Sequence, residues 1–302
     1  MDGFRLPVGL WAETGVRWMR DNLDGLLGAV STAMGWLVRS LTDVLVGSPI
    51  VVVVLVAVLL AWLLRSWRFA IATGIGFALV LAMGVWVSAL QTLALVIVAT
   101  VIAVAIAVPL GILAARSDRA SAIVRPILDL MQAMPAFVYL IPAIVFFSIG
   151  VVPGLVATII FSLPPGVRLT ELGIRGVDAE TVEAGYAFGA RPGQILRGVQ
   201  LPLAMPTIMA GVNQVIMLAL SMAVIAGIAG APGLGQDIVQ AMSTVDIATG
   251  VEAGIGVVVI AVFLDRLTGA LGAARQHRSS LLGLLARRRE TAASARGLAQ
   301  AA

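Results

Sequence analysis

The most polar interval inside this otherwise apolar chain is Val182–Pro202, which reads VEAGYAFGARPGQILRGVQLP. It contains one carboxylate, two arginines, four glycines and two prolines, but no residue whose type and spacing indicate catalysis. A segment of charged and turn-forming residues between two hydrophobic runs is therefore expected to bind a partner rather than to carry out a reaction.

Residue types that carry covalent or metal chemistry are nearly absent from the rest of the chain. There is no cysteine, and the only histidine, His277, cannot form a metal site by itself. All twenty basic residues are arginine, so the chain can form neither a retinal Schiff base nor the lysine contact of a phosphate-binding P-loop. The sequence therefore predicts no catalytic residue, no metal site and no cofactor bound by this chain.

The composition indicates a protein that lies within a lipid bilayer. The 302 residues are 60% hydrophobic and 12% charged, whereas soluble domains carry about 25% charged residues. Since a spanning helix needs about 20 apolar residues, the predicted fold is an all-α polytopic membrane protein with about seven transmembrane helices. The apolar runs fall near 48–64, 69–88, 92–114, 133–149, 151–166, 203–228 and 250–270. The fifth run is short and ends at Pro164-Pro165, so we expect other helices to shelter it.

The arginines indicate which side of the membrane each connection occupies. They follow the first, third, fifth and seventh apolar runs, whereas the connections at 89–91, around 150 and 229–249 contain none. Because cytoplasmic loops are enriched in basic residues, we predict an extracytoplasmic N-terminus and a cytoplasmic C-terminus. The same rule places residues 182–202 in the cytoplasm. The high pI of about 10.8 is then explained by the arginines in the cytoplasmic connections, and no nucleic-acid partner is expected.

The first 45 residues allow two interpretations. Trp11, Trp18 and Met19 alternate with charged residues, a pattern typical of an amphipathic helix at the membrane interface. The uncharged run at 25–38 would, as an eighth span, place the N-terminus inside, but it is short for a crossing. We expect 1–45 to form an extracytoplasmic interfacial tail without a cleaved signal peptide, followed by two spans in 46–87. Residues 271–302 are expected to form a basic cytoplasmic tail that attracts anionic lipid.

Local signals in the polar interval predict two short helices separated by a break. Asp178 is a suitable N-cap for the first helix, Gly189 permits the chain to turn, and Pro192 suits the first turn of the second helix. Leu201-Pro202 is expected to end the unit. A connector of this length exceeds the usual handful of residues, so we predict a helix–turn–helix that docks another protein at about 176–200.

The residues of this docking unit carry a family resemblance. Their order resembles the E-A-A-x3-G-x9-I-x-L-P signature of ABC importer permease subunits, and every spacing matches. The matching residues are Glu183, Ala184, Gly185, Gly189, Val199, Leu201 and Pro202. Gly185 replaces the second alanine of the signature and Val199 replaces its isoleucine. Gly185 is expected to weaken the first helix by up to about 1 kcal/mol relative to alanine.

The resemblance covers roughly residues 88–270. The stretches 131–150, 159–175 and 200–236 look like the glycine betaine/proline betaine permease subfamily, with Ala133 where a threonine is expected. The resemblance implies the transmembrane domain of a type I ABC importer in the bacterial inner membrane, carrying compatible solutes such as glycine betaine, proline betaine, choline or carnitine for osmoprotection. In that family the signature segment is the coupling helix that docks on the ATPase.

Several partners are implied by the same resemblance. Two copies of a separate ATPase would bind ATP and magnesium, so that this chain is not itself an enzyme. A second permease subunit, expected to be another copy of this chain, would complete the pathway. An extracytoplasmic substrate-binding protein would deliver the solute, and the glycine-rich stretch 230–235 is expected to form a turn at an external gate or docking surface.

Polar and aromatic residues within the apolar runs are candidates for the translocation pathway, because such groups usually face protein or a water-filled route. The candidates are Gln132, Pro135, Phe137, Tyr139, Asn213, Gln214, Met217 and Ser221. Phe137 and Tyr139 are suited to a quaternary ammonium through cation–π attraction. The competing interpretation is that these residues pack the helices or join them by hydrogen bonds.

Other functions fit the sequence less well. A permease for another small solute, such as an amino acid, has the same overall pattern. A secondary transporter generally places ionisable residues at mid-membrane, but here Glu252 lies near the outer end of the last run and Asp265 near its cytoplasmic end. A seven-span receptor or membrane enzyme lacks a ligand-receiving domain and a catalytic constellation.

Overall fold

The computed structural model describes residues 8–272, which form helices joined by short connections and contain no strand. The all-helical prediction is therefore confirmed for this part of the chain, while His277 and most of the predicted basic tail lie outside it. The helices are α1 (Val8–Gly47), α2 (Ile50–Leu64), α3 (Trp67–Ala82), α4 (Trp86–Arg116), α5 (Asp118–Ala133), α6 (Ala136–Phe147), α7 (Val151–Arg175), α8 (Ala179–Ala187), α9 (Pro192–Ile195), α10 (Leu201–Ala226), α11 (Leu234–Thr244) and α12 (Ile247–Gly272).

All seven apolar runs lie in helices, but they do not all form straight crossings. Four segments are long and apolar enough to cross a membrane: α4, α7, the continuous stretch Pro192–Ala229, and α12. Two further crossings result if each bent pair counts as one, since α1 meets α2 at 106° and α5 meets α6 at 98°. The helix α3 is apolar but only 16 residues long. The described residues therefore contain four to six candidate crossings.

The fifth apolar run is longer than the sequence predicts. Helix α7 continues through Pro164-Pro165 to Arg175 and reaches 25 residues. Each proline removes a backbone donor, yet both are buried, and the next residue, Gly166, contacts Ala107 of α4 and Val215 of α10. Packing between neighbouring helices thus holds the segment helical where local signals alone predict an end.

Helices α4, α7 and α10 form the centre of the helix assembly because small residues let them approach closely. A Cβ atom added at Gly111 would lie 2.5 Å from Cβ of Thr170, and one at Gly173 would lie 3.0 Å from Cβ of Thr207. Around this centre, α3 and α12 pack against α4, and α2 packs against α3 and α12, through a large apolar cluster that includes Phe77.

The N-terminal region is one continuous 40-residue helix. Its C-terminal half packs on the core, where Gly35 and Val38 are buried. A second apolar face remains uncovered, and Trp11, Trp18 and Trp36 on it are each more than 60% exposed. The two faces fit a helix that contacts both protein and lipid, and its position at the membrane interface stays a prediction.

Candidate functional site

The first half of the signature segment forms α8 as predicted. The Asp178 carboxylate accepts a hydrogen bond from the backbone N–H of Thr181 at 3.0 Å and so caps the helix. The helix ends where Gly189 adopts the left-handed region, with φ of +76°. The N–H of Ala190 donates to the carbonyl of Gly185 at 3.1 Å, which closes the turn.

The second half starts as predicted, and Pro202 lies at the start of the next helix. Pro192 is the first residue of α9, and Gln194 Oε1 accepts a hydrogen bond from the backbone N–H of Arg191 at 2.7 Å. The chain then widens into a π-helical turn, Leu196–Gln200, and continues directly into α10. There the N–H of Leu201 bonds the carbonyl of Leu196, five residues back. Pro202, which has no N–H, lies in the first turn of α10, and the unit runs into the crossing without a break.

The inner side of the signature segment anchors it to the transmembrane helices. Ile195 is 1% exposed, and Leu196 packs with Ile174 of α7 and Ile208 of α10. Gly185 faces Ile195, because a Cβ atom at Gly185 would lie 3.4 Å from Ile195 Cγ1. We call the unit from Asp178 to Gln200 the coupling element. Its first helix, α8, therefore packs against Ile195, just before the start of the long helix α10.

The outer side of the coupling element offers groups for another protein to contact. Glu183 and Ala184 are exposed, as is Gly189, while Val199 and Leu201 are half-buried. Two aromatic side chains at the tip are open to solvent, with Tyr186 50% and Phe188 92% exposed. A carboxylate beside two uncovered aromatic rings is typical of a protein-binding surface.

Six of the eight pathway candidates are exposed in the single chain. Gln132, Pro135 and Phe137 lie at the bend between α5 and α6. Gln214, Met217 and Ser221 form a stripe along one side of α10. The two groups lie on adjoining helices, since Tyr139 and Leu140 of α6 and Met222 of α10 belong to one buried cluster.

The remaining two candidates are engaged within the chain. The Tyr139 hydroxyl donates a hydrogen bond to the carbonyl of Met131, and its ring meets Phe161 edge-on at 5.9 Å. Asn213 donates to Asp265 Oδ1 at 2.9 Å and accepts from the hydroxyl of Thr268 at 2.8 Å. These contacts correspond to the competing interpretation of helix packing, and a pathway role for either residue stays a prediction.

Sequence reasoning missed a polar contact between α5 and α7. Arg125 binds Glu171 at 2.9 Å, Arg175 binds Asp118 at 2.8 Å, and Arg168 pairs with Asp129. All of these residues except Asp118 line a cavity of about 380 Å³ between the two helices. The only local signal was the charge spacing along 168–175, which does not identify the partner helix.

The opposite end of the molecule is closed by backbone packing. A Cβ atom at Gly227 would lie 2.3 Å from the carbonyl carbon of Gly235, and the N–H of Leu234 donates to Thr92 Oγ1 at 2.9 Å. The Asp246 carboxylate accepts hydrogen bonds from the hydroxyl and backbone N–H of Thr249, which lower the pKa of Asp246. Within residues 8–272, no cluster of three acidic or histidine side chains could hold a metal ion.

Comparison with known proteins gives concordant matches. Residues 107–276 match the family described as binding-protein-dependent transport system inner membrane component. The chain is 45% identical to the glycine betaine/proline betaine transport system permease protein of Escherichia coli K12, over 88% of this chain and 75% of that protein. It is 44% identical to the glycine betaine transport system permease protein of Bacillus subtilis 168, over 91% of this chain and 98% of that one.

A solved structure of similar fold comes from the inward-facing MetNI methionine ABC transporter. It superposes with a TM-score of 0.57, covering 62% of this chain and 94% of the matched chain at 22% identity. At that identity the likeness concerns the fold alone.

Proposed function

The chain belongs to the family of binding-protein-dependent transport system inner membrane components, and we propose that its substrates are compatible solutes such as glycine betaine, proline betaine, choline or carnitine. Membership makes it the multi-pass permease subunit of an ABC importer in the bacterial inner membrane. The substrate class is supported by two relatives, 45% and 44% identical, that are glycine betaine permease proteins.

The observation that carries the mechanism is the exposed coupling element on the end of the membrane helices. Its tip presents Glu183, Tyr186 and Phe188, while Ile195 is buried. Two copies of a separate ATPase would dock at this tip and hold ATP and magnesium, leaving the permease without a catalytic or cofactor role. Closure of the ATPases would then displace α7 and α10 through the coupling element.

A second copy of this chain would complete the pathway. The polar stripe of Gln214, Met217 and Ser221 and the neighbouring Phe137 are uncovered in the single chain. Facing the same surfaces of a second copy, they would enclose a route lined by amide, hydroxyl, thioether and aromatic groups. An extracytoplasmic binding protein would supply the solute at the end formed by α11.

The docking assignment can be tested on the reconstituted importer with its co-encoded ATPase and binding protein. We expect Glu183→Arg to lose most of the solute-stimulated ATP hydrolysis and to weaken copurification of the ATPase, because the charge at the docking tip is inverted. Asp21→Arg, an exposed carboxylate on α1, is the matched control. Unchanged hydrolysis and copurification in Glu183→Arg would show that the segment does not couple to the ATPase.

Orientation can be tested by thiol labelling because the chain contains no cysteine. Ala187→Cys lies on the coupling element and Ser243→Cys on α11, and both positions are exposed. In intact cells a membrane-impermeant thiol reagent is expected to label only Ser243→Cys, and in broken cells both. Labelling of Ala187→Cys alone in intact cells would invert the proposed topology. An N-terminal reporter found in the cytoplasm would support the eighth span.

The substrate class is tested by uptake of labelled betaine, choline, carnitine and proline into proteoliposomes loaded with ATP. We expect ATP-dependent uptake of at least one quaternary amine. Uptake of an ordinary amino acid alone would favour the permease for another small solute. Uptake driven by an ion gradient without the ATPase would favour a secondary transporter.

A further inference from the structure

Helices α5 and α7 face each other through a ladder of opposite charges. In order along the interface, Asp118 pairs with Arg175, Arg125 with Glu171, and Asp129 with Arg168. The signs run minus, plus, minus along α5 and plus, minus, plus along the facing side of α7. We call these three pairs the charge ladder.

The central rung is the most strongly bonded of the three. Glu171 is 4% exposed, and it accepts hydrogen bonds from the Ser121 hydroxyl at 2.7 Å and from Arg125 at 2.9 Å. Arg175 lies 3.1 Å from the same carboxylate and also donates to the carbonyl of Ala114 at the end of α4. A buried carboxylate with this many partners holds its neighbours in defined positions.

The ladder disfavours a slip by one rung. If α5 slides by one rung in one direction, Arg125 faces Arg175 and Asp129 faces Glu171. In the other direction Asp118 faces Glu171 and Arg125 faces Arg168. Either slip places like charges opposite each other. The ladder therefore opposes small sliding movements of α5 along α7.

The cavity beside the ladder leaves room for α5 and α7 to separate. The cavity of about 380 Å³ between α5 and α7 is lined by the ladder residues other than Asp118, together with Leu169 and Leu172. The outer rungs are partly exposed, with the side chain of Asp129 67% and that of Asp118 92% accessible. Water can therefore solvate these outer charges when the helices part, so that the main cost of opening falls on the buried Glu171 rung.

The position of the ladder joins the two functional regions. Its Arg175 end precedes Asp178, where the coupling element begins, and its Asp129 end precedes the α5–α6 bend with Gln132 and Pro135. Resting on the proposed function, we infer that the charge ladder is the positioning device that transmits displacement of the coupling element to the pathway side of the permease. The ladder residues act on transport through these helices and do not contact solute.

The test is a charge swap at the most membrane-proximal rung, measured in the reconstituted importer. We expect Asp129→Arg and Arg168→Asp each to lower the solute transported per ATP hydrolysed about tenfold, since each places like charges in contact. The double variant restores the pair with inverted polarity, and we expect its ratio to recover to within about threefold of the wild type. ATPase copurification should stay unchanged in all three variants.

The control is the same swap at an ion pair of the same chemistry outside the ladder. Glu13 and Arg17 on α1 form such a pair, and Glu13→Arg with Arg17→Glu should leave the transport ratio unchanged. Where a reversal prevents assembly, Asp129→Asn removes the rung without repulsion and is expected to lower the ratio in the assembled complex.

Two results would overturn the inference: a normal ratio in the assembled single variants, or a double variant as impaired as the single ones. A lowered melting temperature with a normal ratio would assign the ladder a structural role only, and so would also overturn it. A wild-type importer that transports no tested quaternary amine would instead refute the proposed substrate class, independently of the ladder.

Discussion

The two sides of α7 make different kinds of contact with the neighbouring helices. Toward α4 and α10 it packs through glycines, so closely that a Cβ atom at Gly166 would lie 2.9 Å from Ala107 and one at Gly211 would lie 3.0 Å from Leu169. Toward α5 it presents charges beside a cavity of about 380 Å³. Close-packed surfaces transmit displacement without slipping, whereas a contact between opposite charges sets a register. The comparison indicates that α4, α7 and α10 form one close-packed unit and that α5 is joined to it mainly through ion pairs.

The largest expected effect comes from breaking the close-packed side. Gly111→Ala places a methyl group 2.5 Å from Thr170 Cβ and 2.7 Å from the Val167 carbonyl, so the backbones must separate. We expect a loss of about 3 kcal/mol, at the upper end of overpacking costs, seen as a lower melting temperature of the purified permease. Gly254→Ala in α12, where nothing lies within 4 Å, is the control. Equal stability of the two variants would refute the close-packed interpretation.

A smaller effect is expected from weakening the charged side. Glu171→Gln keeps an acceptor for Ser121 but loses the attraction to Arg125 and Arg175, and we expect a loss of about 2 kcal/mol in unfolding free energy. Glu171→Leu also removes the acceptor and should cost more. Denaturant unfolding of both variants measures the difference. If both are as stable as the wild type, the contact with α5 contributes no stability and the contrast between the two sides of α7 disappears.

The smallest effect is expected in the coupling element, which continues directly into α10 of the close-packed unit. Gly185→Ala restores the residue of the family signature, and its methyl group would lie 3.4 Å from Ile195, an ordinary contact. We expect a gain of up to about 1 kcal/mol from helix propensity, measured as a higher melting temperature. Gly189→Ala is the contrasting variant, because its φ of +76° disfavours alanine although the space is open. A loss of stability in Gly185→Ala would show that the first helix of the coupling element needs its glycine.

Signals that act within a few residues predicted their elements correctly. The Asp178 cap, the turn at Gly189 and the start of α9 at Pro192 follow from the backbone preferences of those residue types. The same local reasoning was wrong at Pro164-Pro165, where it predicted an end to the helix. Neighbouring helices hold that site helical.

By itself, the sequence determined an all-helical membrane permease with short helices in the polar segment at 176–200, because hydropathy, capping and motif spacing are properties of consecutive residues. Only the tertiary structure decided which charges meet. The rungs of the ladder join residues 39, 46 and 57 positions apart, and their pairing depends on how α5 folds back on α7. It also showed that Asn213 faces Asp265 and Thr268, whereas Gln214 beside it remains exposed. The physical reason is that adjacent residues on a helix point in different directions, and the direction that meets a neighbour depends on packing across the whole molecule.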